Sequence, residues 1–192
     1  MKKSLIVILS VVAVVVVIAL WILSVYNGLV TKDEAVPAQW AQVESAYKRR
    51  ADLIPNLVAT VKGYAEHEKS TLDAVISARA AATQITVDPS NLTPETLREY
   101  QAAQGQLSSA LGKLMMIQEN YPNLKANQNF LDLQAQLEGT ENRINTERMR
   151  YNEVCKDFNS TIRRFPGMLF GFEKRAYFEA TDAEKETPQV KF

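Results

Sequence analysis

The sequence predicts an all-α protein in which an N-terminal transmembrane helix is followed by long antiparallel helices that form a four-helix-like bundle. Three observations support this fold class. Residues 5–25 form one uncharged apolar run, and apolar residues recur beyond it at helical spacing. Only seven of the 192 residues are glycine, whereas the helix-favouring residues Ala, Leu, Gln, Glu and Arg are plentiful.

The apolar run at 5–25 is long enough to cross a membrane. Its only polar residues are Ser10 and Ser24, and a helix of this length covers about 30 Å, the thickness of the hydrocarbon core. Trp21 and Tyr26 lie near its far end, where such rings favour the headgroup layer. A cleaved signal peptide is the competing interpretation, but its apolar core is shorter and ends in a small-residue cleavage site that this run lacks. We therefore expect the run to remain in the bilayer as an anchor.

Basic residues around the anchor indicate its orientation. Lys2 and Lys3 precede it, whereas Lys32 is the only basic residue close behind it. Because basic residues favour the cytoplasmic side, the N-terminus is expected in the cytoplasm and the rest of the chain outside it. The expected location is the cell inner (cytoplasmic) membrane, crossed once, with an extracytoplasmic, periplasmic bundle.

The chain divides into a short anchor and one larger domain. Residues 1–27 are expected to form a cytoplasmic stub and the transmembrane anchor, residues 28–180 the helical bundle, and residues 181–192 a flexible tail. Apolar spacing and helix-start signals predict three long helices in the bundle, at 31–83, 93–120 and 124–165.

Two of these helix starts carry capping signals. Thr31 with Glu34 three residues later fits a capping box, and Thr93 followed by Pro94 fits an N-cap with proline at the first helical position. The sequence leaves open whether the anchor helix continues directly into the first bundle helix.

The last predicted helix has the most regular apolar stripe. Its members are each seven residues apart, namely Phe130, Leu137, Ile144, Tyr151, Phe158 and Phe165. This spacing predicts that the face meets another helix at a shallow crossing angle. Polar residues around Glu141 interrupt the stripe, so a polar layer is expected in mid-bundle. We expect Arg49 or Arg50 to approach Glu141 there and fix the helix register, with a polar surface for a partner as the alternative.

A set of sequence blocks spread over nearly the whole chain carries a family pattern. The blocks are YNGLV at 26–30, KRRADLIPNL at 48–57, VKGYAEHE at 61–68, NLKA at 123–126, NFLDLQ at 129–134, TENRI at 140–144 and YFE at 177–179. Together they resemble the LemA family of bacterial membrane proteins. The resemblance implies a single-pass protein with a mostly helical extracytoplasmic domain. It implies no activity, because the family has no established catalytic role.

Composition and the few reactive residues argue against an enzyme. Lys plus Arg and Asp plus Glu balance at 22 each, so no nucleic-acid partner is expected. His67, the only histidine, lies between Glu66 and Glu68, but helix neighbours do not converge on a metal, so a solvated or structural role is expected. Cys155, the only cysteine, is expected to pack in the core rather than act as a nucleophile. We expect no catalytic, cofactor-binding or metal-binding residue, and no cofactor.

An apolar segment, Met168–Phe172, follows the end of the last helix at Pro166 and Gly167. It is too apolar to lie free in water. Two interpretations remain open for it: the segment seals the open end of the bundle, or it docks a partner.

These observations predict a membrane-anchored scaffold or adaptor that acts through protein–protein contacts. Its expected partners are the lipid bilayer through residues 5–25, other membrane or envelope proteins, and copies of itself, since heptad surfaces of the coiled-coil kind also suit a homo-oligomer. The alternative is an accessory or sensor domain that binds a small ligand or metal in the polar layer. A cavity lined by Glu141, Arg143 or Tyr151 favours this alternative, and a tightly packed core argues against it.

Overall fold

The computed structural model describes residues 2–89 and 92–179, with the side chains from residue 4 onward. Within these ranges the secondary structure is helical and no strand occurs, which confirms the all-α fold class. The helices are α1 (Lys2–Lys62), α2 (Lys69–Gln84), α3 (Pro94–Ile117), α4 (Pro122–Lys125) and α5 (Gln128–Ile162). Two 3₁₀ turns, Gln118–Asn120 and Gly167–Leu169, follow α3 and α5. The predicted tail at 181–192 lies outside the described residues.

Helix α1 joins the apolar anchor to the bundle without a break. The start predicted at residue 31 is therefore wrong, because Thr31 lies inside the helix and its hydroxyl donates to the Asn27 carbonyl at 2.9 Å. Pro37 and Pro55 are also inside the helix. Each removes one backbone donor, but burial of the neighbouring apolar face keeps the helix in place.

The single helix predicted at 31–83 is in fact two helices. Helix α1 ends at Lys62, where the Val61 carbonyl accepts from the backbone amides of both Tyr64 and Ala65, and α2 begins at Lys69. Gly63 lies at this helix end, as is common at a C-terminus. The break was missed because Val61, Ala65 and Leu72 are all buried in one core, so the apolar spacing continues across the turn.

The other two predicted helices are close to those observed. Thr93 caps α3 by accepting from the Thr96 amide, with Pro94 in the first turn, as predicted. The predicted helix at 124–165 is divided into the short α4 and the long α5. Asn127 begins α5 by accepting from the Phe130 amide at 3.0 Å.

The four main helices form an up-down-up-down bundle. Helix α1 packs along α5, and α2 packs along α3. Cross-contacts fix the antiparallel arrangement, since the Arg79 guanidinium of α2 reaches the Ala51 carbonyl of α1 and the Gln104 amide of α3 reaches the Ala82 carbonyl of α2.

Two apolar cores are stacked along the bundle axis. The anchor-side core is built around Leu29, Trp40, Tyr100, Tyr151 and Phe158. The distal core, farther from the anchor, is built around Ile54, Leu57, Leu107, Leu114 and Phe130. Helix α2 buries its apolar side chains only in the distal core, so a different part of the chain has to close the anchor-side core.

Candidate functional site

A buried arginine occupies the polar layer in mid-bundle. The Arg50 side chain is only 1 % exposed, and its guanidinium donates to Glu141 at 2.7 Å, Ser108 at 2.6 Å and the Gln104 side chain at 2.6 Å. It also donates to the Gln104 backbone carbonyl at 3.1 Å. The predicted approach of Arg50 to Glu141 is thus confirmed, and the buried charge is compensated by an ion pair and three further hydrogen bonds.

The polar layer separates the two apolar cores. On α1, Tyr47 belongs to the anchor-side core and Ile54 to the distal core, with Arg50 between them. On α5, Leu137 is distal and Ile144 anchor-side, and Glu141 lies between. A charged group held by three helices is satisfied in only one register, so this layer fixes how α1, α3 and α5 align.

Clefts lie on both sides of the polar layer. One has a volume of about 610 Å³, and its polar lining includes Arg50, Gln104, Ser108, Glu141 and Arg148. The other, of about 600 Å³, is lined by residues including Glu44, Lys48, Asp52, Arg79 and Tyr100.

Of the three residues expected to line a ligand cavity, only Glu141 does so. Arg143 lies outside, within 3.9 Å of Glu147, and Tyr151 is fully buried in the anchor-side core. Neither of the two clefts beside the polar layer includes them.

An aromatic cluster fills the anchor-side core. Trp40 stacks on Phe178 with ring centroids 5.7 Å apart, and Tyr151 meets both rings edge-on at 5.6 and 5.3 Å. Burial raises the pKa of both Tyr100 and Tyr151, so these phenols are uncharged at neutral pH. The buried Trp40 Nε1 has no hydrogen-bond partner among the described residues.

The segment at 170–179, here called the C-terminal strap, closes the anchor-side core. Two asparagines of α5 hold its backbone. Asn152 donates to the Phe178 carbonyl at 2.9 Å and accepts from the Phe178 amide at 2.8 Å, and Asn159 makes the same pair of bonds with Arg175. Arg175 in turn pairs with Asp33 of α1 at 2.7 Å. The strap is thus tied to both long helices.

The sequence left open whether the apolar segment Met168–Phe172 seals the bundle or docks a partner, and different residues of the segment fit each interpretation. Phe170 and Phe172 pack against the anchor-side core, and both contact the ring of Tyr26 with centroids 5.5 and 6.2 Å apart. Met168 and Leu169 point outward and are exposed. Part of the segment therefore seals the bundle, and part remains available.

The two reactive residues lie in different environments. Cys155 is fully buried, and burial raises the pKa of its thiol to about 11, which disfavours the thiolate needed for nucleophilic attack. His67 is exposed in the turn between α1 and α2. The neighbouring Glu68 accepts a hydrogen bond from the Tyr121 hydroxyl at 3.2 Å. In the described ranges no group of three or more His, Cys, Asp or Glu side chains could hold a metal ion.

Sequence reasoning missed the asparagines that hold the strap. Their signal was present, because Asn152 and Asn159 are seven residues apart and each directly follows a member of the apolar stripe, Tyr151 or Phe158. Two asparagines that lie seven residues apart next to a buried apolar stripe indicate that another segment of the chain is hydrogen-bonded along the edge of that stripe. Gln104 of α3 was also missed, since it is only one polar residue in a glutamine-rich segment.

These features define a class of protein: a helical bundle carried directly on one apolar helix long enough to cross a membrane. Comparison with known proteins identifies the family. The LemA family model matches residues 39–192, and the chain belongs to the LemA family.

Three relatives show how far the similarity extends. Magnetosome protein MamQ 2 of Paramagnetospirillum magneticum is 27 % identical, over 95 % of this chain and 76 % of the relative. Magnetosome protein MamQ of Magnetospirillum gryphiswaldense is also 27 % identical, over 86 % and 70 %. Protein LemA of Metamycoplasma hominis is 27 % identical over 72 % of this chain and 60 % of the relative.

Proposed function

We propose that this protein is a single-pass scaffold of the inner membrane, whose extracytoplasmic bundle binds other membrane or envelope proteins, or copies of itself, without catalysis. One observation carries the proposal. The apolar stretch at 5–25 packs against nothing over most of its length, yet it continues without a break into the bundle through α1. A bilayer is the environment that covers such a surface.

The continuous helix sets where the bundle stands. From Tyr26 to Lys62 helix α1 rises about 54 Å at 1.5 Å per residue, so the distal core projects well away from the headgroups. The basic residues at 48–50 lie about 33 Å along this rise, several Debye lengths from the lipid. Arg50 is also buried. The charge of Arg50 therefore serves the bundle rather than the membrane.

The distal tip offers a surface for a protein partner. The heptad faces of the helices are used inside the two cores, so they are not free for assembly. Tyr64 just beyond α1, Met116 at the end of α3 and Leu131 at the start of α5 are nevertheless exposed at the tip. Exposed large apolar side chains that lie farthest from the membrane suit contact with another protein.

Site-specific crosslinking in cells tests the scaffold role. A photoreactive amino acid replacing Met116 should form a discrete adduct, whereas the same group replacing Met149, an equally exposed methionine on the side of α5, should form less. The mass of the purified adduct separates a second copy from another protein. A monomeric protein that gives no adduct at Met116 contradicts the scaffold proposal.

Cysteine labelling tests the orientation. Ser70→Cys places a thiol on the exposed surface of α2, and the buried Cys155 does not compete for a maleimide. In intact spheroplasts a membrane-impermeant maleimide should label Ser70→Cys. Labelling that requires lysis contradicts an extracytoplasmic bundle.

A second candidate function rests on the cleft beside Arg50. Its lining by Arg50, Glu141 and Arg148 suits a small ligand that carries both charge and hydrogen-bonding groups. Thermal unfolding with a panel of small carboxylates and amines tests it, because a ligand at about 100 times its Kd stabilises by about 2.7 kcal/mol. A shift that is lost in Glu141→Gln supports a sensor domain, and the absence of any shift contradicts it.

A further inference from the structure

The turn that follows α5 exposes an apolar triad. Phe165, Met168 and Leu169 are 72 %, 62 % and 69 % exposed, and all three lie within one five-residue turn. The turn is compact, because the Met168 amide donates to the Arg164 carbonyl and the Leu169 amide to the Pro166 carbonyl, both at 3.0 Å. The triad is thus an apolar protrusion on an ordered turn.

The triad lies at the level where α1 leaves the apolar anchor. Lys32 of α1 contacts Asp157 and Thr161 of the antiparallel α5 at 3.0 and 2.9 Å. Phe165 follows the end of α5 at Ile162 and so lies at this same end of the bundle. Phe170, which follows the triad directly, contacts Tyr26 at the end of the anchor. The exposed triad therefore lies beside the place where the bilayer surface crosses α1.

The charges around the triad complement a phospholipid surface. Arg163 and Arg164 directly precede Phe165, and both are exposed. Lys174 beyond the turn is exposed as well, next to the acidic Glu173. Basic side chains bordering apolar ones are the combination that binds the membrane interface, where the charges meet phosphates and the apolar groups enter the acyl boundary.

From this arrangement we propose a second membrane contact: Phe165, Met168 and Leu169 insert into the interfacial layer of the bilayer from which α1 emerges, with Arg163 and Arg164 on the phosphates. The proposal rests on the membrane anchoring proposed above. Two contact points, the anchor and the triad, fix the tilt and rotation of the bundle over the membrane, which a single helix leaves free. The backing of the turn by Phe170 and Phe172 makes the insertion rigid with respect to α1.

Spin-label depth measurements on the full-length chain test this contact. In a Cys155→Ala background, Met168→Cys carries a nitroxide, and the protein is reconstituted into vesicles of phosphatidylcholine and phosphatidylglycerol. Collisions with oxygen, which concentrates in lipid, are compared with collisions with a water-soluble nickel chelate. Met149→Cys is the matched control, because Met149 is 61 % exposed and lies on α5 about 20 Å before the end of the helix at Ile162.

We expect the oxygen-to-nickel ratio at residue 168 to rise well above that at residue 149. Equal ratios overturn the proposal. A label at residue 168 that neither reagent reaches also overturns it, since the turn is then covered by protein rather than lipid. A label at Val14→Cys separates the two proposals: if residue 14 is in lipid while residue 168 is in water, the anchor stands and only the second contact fails.

A charge variant tests the role of the arginines. With Arg163→Gln and Arg164→Gln together, the label at residue 168 should become more accessible to nickel in the phosphatidylglycerol vesicles. Circular dichroism identifies any loss of fold, which is not expected because both side chains are exposed. An unchanged depth overturns the part assigned to the arginines.

Discussion

Replacing Arg50 with alanine should destabilise the bundle by about 3 kcal/mol. Breaking a buried ion pair costs about 3–5 kcal/mol when the remaining partner is left buried. Here Glu141 is 38 % exposed and can turn toward water, which lowers the cost. Gln104 is buried and loses its guanidinium partner, which adds about 1–2 kcal/mol. For a domain of this size the expected loss lowers the Tm by about 6–12 °C.

Thermal unfolding of the full-length protein in mild detergent, followed by circular dichroism, measures this loss. Arg49→Ala is the matched control, because Arg49 is the exposed neighbour on the same helix and should change the free energy of unfolding by less than about 0.5 kcal/mol. Glu141→Gln should also cost about 3 kcal/mol, because Arg50 stays buried without its counter-charge, although the amide still accepts a hydrogen bond from it. The reasoning is refuted if either Arg50→Ala or Glu141→Gln costs no more than Arg49→Ala.

Three further predictions concern the anchor-side core. Asn152→Ala and Asn159→Ala should each lower the free energy of unfolding by about 2 kcal/mol in chemical denaturation, because each loses two hydrogen bonds to the strap; a loss within error of wild type contradicts this. Cys155 should not react with an aromatic disulfide reagent at pH 8 until the protein unfolds, since it is buried with a raised pKa; rapid reaction of the native protein argues against the packing. Because burial raises the pKa of Tyr100 and Tyr151, only the unfolded state releases these protons near pH 10, so stability should be fully present below that pH and fall above it. The Tm measured from pH 8 to 11 checks the sign, and a Tm that rises in this range refutes it.

Most of the helical content could be predicted from the sequence, because apolar residues that recur at helical spacing mark the buried face of a helix. The same signal could not locate the end of α1, since Val61, Ala65 and Leu72 are buried on both sides of the turn. When the residues before and after a turn are buried in the same core, the spacing of apolar residues continues through the turn and does not reveal it. The start at Thr31 failed for a different reason: a capping signal is local, and a long packed helix overrides it.

The polar layer was predictable, whereas the strap was predictable only in part, through the apolar character of Met168–Phe172. Arg50 and Glu141 each interrupt the apolar stripe of a helix. A charged side chain at such an inward-facing position needs an oppositely charged partner, so their pairing could be predicted. The strap has no helix or strand, and the main-chain groups through which it binds Asn152 and Asn159 of α5 have no sequence signature. Its hydrogen-bonded attachment was signalled only by the partners Asn152 and Asn159.

The bundle has two halves, one on each side of the Arg50 layer, and a different element supplies the fourth wall of each half. In the distal half α2 supplies the fourth wall, with Leu72 and Val75 buried against the other helices. Helix α2 ends at Gln84, too short to reach the anchor, and the strap supplies the missing wall through Phe178. The strap begins beside Tyr26 and runs back along α5 from Asn159 to Asn152, so it is the end of α5 that places the exposed apolar triad beside the membrane anchor.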